Sequence, residues 1–308
     1  MATTAFITHA DCALHDMGDG HPESPARLAA INDALIQGRV MDLLQIHEAQ
    51  EVTLAQLSRV HSQAHIDYVY RNAPQEGVFA LDADTHMNPF SLQAACYAAG
   101  AVVQACDLVL EGRVKNAFCA VRPPGHHAER ERAMGFCVFN NIAVGAAHAI
   151  ESFGLERVAI IDFDVHHGNG TEDIFQSESR VLLCSSYQHP FYPYSGAPSE
   201  PGKRINIALP AGVSRMDYRA AVSEQWWRSL RNFDPQCIFI SAGFDAHKLD
   251  PLANLNLLEE DFAWLTVEIK KVAEECCDGR IISSLEGGYD LHALGASVKA
   301  HITALLEP

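Results

Sequence analysis

The chain has 308 residues, with 22 lysines and arginines against 39 aspartates and glutamates, for a formal charge of −17. That imbalance argues against nonspecific binding to nucleic acid or an anionic membrane; it suits a soluble enzyme and mildly favours cationic substrates. Nine cysteines without a CxxC pair argue against both a disulfide framework and a cysteine-rich zinc knot.

The opening MATTAFITHADCALH lacks the basic flank and long apolar stretch of a secretory signal. No apolar run is read as reaching the roughly 20 residues of a membrane span, so the expectation is a cytoplasmic protein. In chain order, short β-rich runs fall at Ala5–His9, Ala117–Val121, Val158–Asp164, Val181–Ser186, Ile205–Pro210, Cys237–Gly243 and Ile281–Leu285. They are continuous rather than alternating, the pattern of strands covered on both faces. Phe90–Glu111, Asp217–Phe233 and Leu257–Cys277 carry apolar residues at helical spacing, and Leu291–Leu306 closes the chain as a helix. Asn256 and Glu259 read as a capping box for the third of these. Loop composition marks Met17–Pro25, Pro74–Pro89, Gln188–Gly202 and Ala246–Asn256. No linker or repeat intervenes, so the reading is one domain over residues 1–308, an α/β fold of three layers with a single mostly parallel sheet flanked by helices.

In such sheets chemistry gathers at the carboxyl ends of the strands, and polar residues interrupt the apolar pattern there. In IIDFDVHHGNG, Asp162, Asp164 and His166 are spaced by two and point to one side of an extended chain. Two neighbouring carboxylates near an apolar core repel each other, and a cation removes that cost. Aspartate oxygen and histidine nitrogen suit zinc; taken alone, the run also fits a capped turn. Asp245, after CIFISAG, is placed to complete an Asp–His–Asp set with Asp164 and His166. So few protein ligands leave positions open for water and substrate, which favours a catalytic over a structural site. After RPPG come His126 and His127, read as proton-transfer groups. Asp162 can orient one imidazole and Asn169 the other without adding charge. Tyr289, after Gly287 and Gly288, can hydrogen-bond a developing oxyanion, though in isolation it also fits a surface turn.

Together, RPPGHHAE, GFCVFNN, DFDVHHGNGTE, SAGFDAH and LEGGYD, in this order from an HPESPARL near the start, resemble the zinc-dependent histone deacetylase superfamily. The resemblance spans essentially the whole chain and is nearest to class II enzymes and their bacterial relatives. It implies an arginase/deacetylase-like fold, with Asp164, His166 and Asp245 as ligands of one zinc ion. His126 and His127 become the catalytic pair, oriented by Asp162 and Asn169, and Tyr289 the transition-state tyrosine. Phe136 and Tyr192 match the aromatic pair of the acyl-lysine channel; a phenylalanine is more usual at the second position, so Tyr192 is expected to narrow or polarise it. Asp84 falls where relatives hold the substrate backbone. A structural potassium ion is implied near Asp162, Asp164 and His166, with Ser185 and Ser186 close by.

The function so implied is zinc-dependent hydrolysis of an acyl amide, chiefly the Nε-acetyl group of lysine in peptides or proteins. The first alternative is an acetylpolyamine amidohydrolase acting on small acetylated amines. Polyamine-selective relatives carry a glutamate where this chain has Leu252, which favours acyl-lysine. A catalytically idle acyl-lysine-binding protein is a further alternative, but it would need a lost ligand, base or tyrosine. His247, standing where arginase-like relatives carry a carboxylate, favours one zinc over a binuclear site.

Overall fold

The computed structural model describes residues 4–307. Its strands are β1 (Thr4–Thr8), β2 (Gln45–Glu48), β3 (Phe79–Ala80), β4 (His86–Met87), β5 (Asn116–Cys119), β6 (Val158–Asp162), β7 (Val181–Gln188), β8 (Arg204–Leu209), β9 (Cys237–Ala242) and β10 (Ile281–Leu285). The helices are α1 (Ala26–Gln37), α2 (Leu54–Leu57), α3 (Gln63–Asn72), α4 (Ser91–Leu110), α5 (Asn141–Phe153), α6 (Asn169–Phe175), α7 (Arg215–Phe233), α8 (Glu259–Cys277) and α9 (Leu291–Leu306). Eight strands form one sheet in the order β2-β1-β5-β10-β9-β6-β7-β8, and every pairing in it is parallel. β3 and β4 form a separate antiparallel pair.

The expected single parallel sheet between helical layers is therefore present. α4 and α5 pack on one face, and α7, α8 and α9, with α1 against α9, cover the other. The central strands are buried along their whole length, which is why their sequences run apolar without alternation. β2 was not legible because it is an edge strand, QIHE, and largely exposed; it needs no apolar run.

Two local expectations are corrected. α4 is long and apolar enough to cross a bilayer by length and composition, contrary to the reading that no such run exists. It is a core helix, packed on α5 and the sheet. The start of α8 is not a box of Asn256 and Glu259: Leu258 is the N-cap residue, and the Asp261 carboxylate accepts its N–H at 2.9 Å.

Candidate active site

The site is built where β6, β9 and β10, neighbours in the middle of the sheet, run out. β6 stops at Asp162, two residues short of the strand expected from sequence. The cause is local. Asp162 Oδ1 accepts the N–H of Asp164 at 3.1 Å, and Asp164 Oδ1 accepts that of His166 at 2.8 Å, so each carboxylate turns the chain that follows it. Two backbone amides then tie the strand ends together. Val165 N donates to Asp245 Oδ1 at 2.9 Å, and Gly287 N to Asp164 Oδ2 at 2.8 Å.

Asp164, His166 and Asp245 come together as expected, all buried, with one ligand atom from each lying within 4.8 Å of the others. His166 Nδ1 is 3.1 Å from both Asp164 Oδ1 and Asp245 Oδ2. Burial opposes charge on His166, but the two carboxylates outweigh it and raise its pKa to about 10. Burial and the Asp164 charge push Asp245 up to about 7. Two buried carboxylates this close together concentrate negative charge that a cation would offset. The donor atoms suit zinc, and three protein ligands leave coordination open. A side chain at Gly287 would strike both carboxylates, so only glycine lets the β10 end approach them. His247 takes no part: it is buried, with Nε2 3.6 Å from Glu259.

His126 and His127 stand beside this cluster, their ring centres 4.0 Å apart. His126 Nδ1 is 2.9 Å from Asp162 Oδ2, and His127 Nδ1 is 2.7 Å from Asn169 Oδ1, the first residue of α6. The Asn169 amide nitrogen donates to Glu129 Oε1 at 2.7 Å. Its oxygen is then the acceptor for His127, which fixes the proton on His127 Nδ1 and leaves Nε2 with a free lone pair. Electrostatics separate the pair further. Burial, together with His126 and His166, holds His127 well below the ordinary imidazole pKa. Burial acts the same way on His126, but Asp164 and Asp162 overcome it and raise that pKa well above the ordinary value. The two imidazoles are thus pushed apart, His127 towards its neutral form and His126 towards its cationic form.

A cavity of about 180 Å³ leads to this pair, lined by Asp84, His127, Phe136, Tyr192, Leu252 and Tyr289, with Gly135, His166 and Phe191 completing the wall. Phe136 meets Tyr289 edge-on at 5.9 Å, and Tyr192 meets His127 edge-on at 5.3 Å. Gly135 has a positive φ, and a side chain there would collide with the His127 ring. Asp84 Oδ1 accepts the N–H of Gly135 at 3.1 Å, so this carboxylate also shapes the wall. Burial and Asp245 keep the Tyr289 hydroxyl protonated, its pKa well above the ordinary value; it remains a donor.

A family model of the histone deacetylase domain matches residues 21–305. The chain belongs to the histone deacetylase family. Histone deacetylase 14, chloroplastic, of Arabidopsis thaliana is 35% identical over 328 residues, covering 99% of this chain and 78% of that protein. Polyamine deacetylase HDAC10 of Mus musculus is 37% identical, covering 98% of this chain and 48% of that protein. The crystal structure of the HDA15 HD domain matches with a TM-score of 0.92 at 36% identity, over 99% of this chain and 88% of that one.

Several residues that shape this histone deacetylase site escaped the sequence reading, although Glu23, Arg27, Arg122 and Glu286 lie inside the quoted motifs. Phe191 stacks on the His166 ring at 5.5 Å; its neighbour Tyr192 had drawn the channel role alone. Glu23 of HPESP and Arg27 belong to a buried ionic knot with Arg122, which bonds the Glu23 carboxylate through Nε and Nη2. From it Arg27 Nε reaches the Gly288 carbonyl at 2.7 Å, so the start of the chain holds the tyrosine loop. Asp250 Oδ2 accepts the N–H of Tyr289 at 2.7 Å, and its Oδ1 accepts that of Leu252 at 2.9 Å. Glu286 is fully buried beneath the histidine pair. Buried charges far from any apolar pattern were the available signal, since each needs a partner.

The implied potassium residues also converge. Asp162 and Ser185 pair across β6 and β7, and the buried Ser185 hydroxyl has no hydrogen-bond partner. The Ser186 hydroxyl lies 2.9 Å from that of Tyr218 and shares a hydrogen bond with it.

Proposed function

We propose that this protein is a zinc-dependent deacetylase hydrolysing the Nε-acetyl group of lysine in peptides or proteins, through one catalytic domain spanning residues 1–308. The observation that carries this reading is His127, its Nδ1 held on the Asn169 oxygen and its Nε2 lone pair free, beside a buried Asp–His–Asp cluster in the wall of a small cavity. Asp164, His166 and Asp245 hold the zinc. When bound there, zinc supplies Lewis acidity towards the acyl carbonyl and the attacking water. His127 accepts the water's proton at Nε2 and returns it to the leaving amine. His126, braced by Asp162 and pushed towards its cationic form, lowers the cost of negative charge forming beside it. The Tyr289 hydroxyl donates to the oxyanion. Phe136, Phe191 and Tyr192 flank the aliphatic lysine stem and keep water from it, and Asp84 at the cavity wall is placed to take a substrate amide.

The Ser185 hydroxyl, buried without a partner, supports a structural potassium ion held with the Asp162, Asp164 and His166 segment and the Ser186 carbonyl. The family membership supports a second substrate reading, since one relative is a polyamine deacetylase. Leu252 stands against it: an apolar residue on the cavity wall offers nothing to a distal ammonium. Turnover of an acetyl-lysine peptide and of acetylputrescine by the zinc-loaded protein separates the two. A preference for the peptide supports the lysine reading, and a preference for acetylputrescine overturns it while keeping the chemistry.

A further inference from the structure

We propose that Glu286 is a positioning residue that sets the stance of the catalytic histidine pair by gripping the backbone of the turn that carries it. This rests on the deacetylase reading and deepens it.

Glu286 follows the last residue of β10, its side chain 0% exposed. One carboxylate oxygen, Oε2, accepts two main-chain donors, Gly125 N at 2.6 Å and His126 N at 3.1 Å. Those two amides belong to the turn after Pro123 and Pro124, and nothing else in the network holds both. The residue's own backbone is locked as well: its N–H donates to Ala242 O at 2.9 Å, and its carbonyl accepts from Arg27. Glu286 therefore forms a rigid post between β10 and the histidine turn. The post fixes where the His126 ring stands relative to Asp162, 2.9 Å away.

The second oxygen, Oε1, is buried with no partner. A fully buried carboxylate with an unmet oxygen is costly in an apolar core; no side chain among the described residues forms a contact ion pair with Glu286, and only the neighbouring His126 eases that cost. A residue retained only for packing would do better as an apolar side chain. The feature that a shorter or apolar side chain cannot reproduce is a two-amide acceptor at this reach.

Two substitutions separate reach from charge. Glu286→Gln keeps the length and one acceptor oxygen but removes the charge, whereas Glu286→Asp keeps the charge and loses one methylene of reach. The expected result, on an acetyl-lysine peptide with zinc content verified, is kcat within about threefold of the parent for Gln. For Asp, kcat falls roughly 30–100-fold with KM within about twofold, because displacing a reacting group by about 1 Å is worth around two orders of magnitude. In parallel, the ¹⁵N resonances of His126 in the substrate-free protein, identified with His126→Ala, should move in the Asp variant and stay in the Gln variant. If Gln is as impaired as Asp, or Asp is not impaired, Glu286 does not position the pair. Should the parent turn over no acetylated substrate, the deacetylase reading fails and the His126 resonances alone decide. An unmoved His126 in the Asp variant then overturns the proposal.

Discussion

The guanidinium of Arg27 lies 5.0 Å from the centre of the Tyr289 ring, while its Nε donates to the carbonyl of Gly288, one residue earlier. One cation thus holds both the ring and the loop of the residue assigned to the oxyanion, from an ionic knot at the opposite end of the sequence. Replacing Arg27 with methionine keeps the aliphatic bulk and removes these bonds. Turnover should fall about tenfold, and the protein should lose roughly 3 kcal/mol of stability because Glu23 keeps only part of its compensation. Steady-state kinetics and urea titration measure the two effects separately.

Tyr289→Phe removes a single hydroxyl at the cavity wall. Loss of one oxyanion donor is worth about 10²–10³ in kcat, so that loss is expected with KM and bound zinc little changed. Near-parental turnover would remove the hydroxyl from the mechanism.

Glu23 sets a pH limit on stability. Burial alone would raise its pKa, but Arg122, His15 and Arg27 hold it well below the ordinary 4.5. A carboxylate depressed in the folded state contributes its full stability above the unfolded value and loses it as pH falls through the folded one. The free energy of unfolding should therefore decline with acidity below about 4.5. Glu23→Gln should be less stable at neutral pH and show a shallower decline, which urea titrations at several pH values will reveal.

Chelation should abolish turnover and lower the melting temperature, since Asp164 and Asp245 then face each other with only a proton on His166 between them. One equivalent of zinc per chain should restore both, as metal analysis and calorimetry can check. Restoration requiring two equivalents would contradict a mononuclear site.

Leu252→Glu places a carboxylate on the cavity wall. The ratio of kcat/KM for acetylputrescine over acetyl-lysine peptide should rise by roughly 10-fold or more, the scale of one charge-assisted contact. An unchanged ratio would mean that selectivity is set elsewhere.

The sheet, the Asp–His–Asp cluster and the oriented histidines were legible because each leaves a mark in one dimension. Buried parallel strands run apolar, and Asp162, Asp164 and His166 interrupt such a run at a fixed spacing. The supporting shell leaves no such mark. Glu286 and Asp250 act through backbone amides of residues distant in sequence, and a backbone amide carries no side-chain identity to read. Glu23 sits in a stretch that composition marks as loop, with Arg27 just beyond it in no predicted element, and only the folded chain brings them beside Tyr289. The strand end at Asp162 was overrun because the pattern of alternate polar residues continues smoothly past the point where the carboxylates begin to bend the chain.

Asp164 and Asp245 each give one oxygen to a backbone amide of a neighbouring strand end. The three strand ends are therefore laced together through the same carboxylates that form the cluster, so a substitution at either aspartate would loosen the end of the sheet as well as the site.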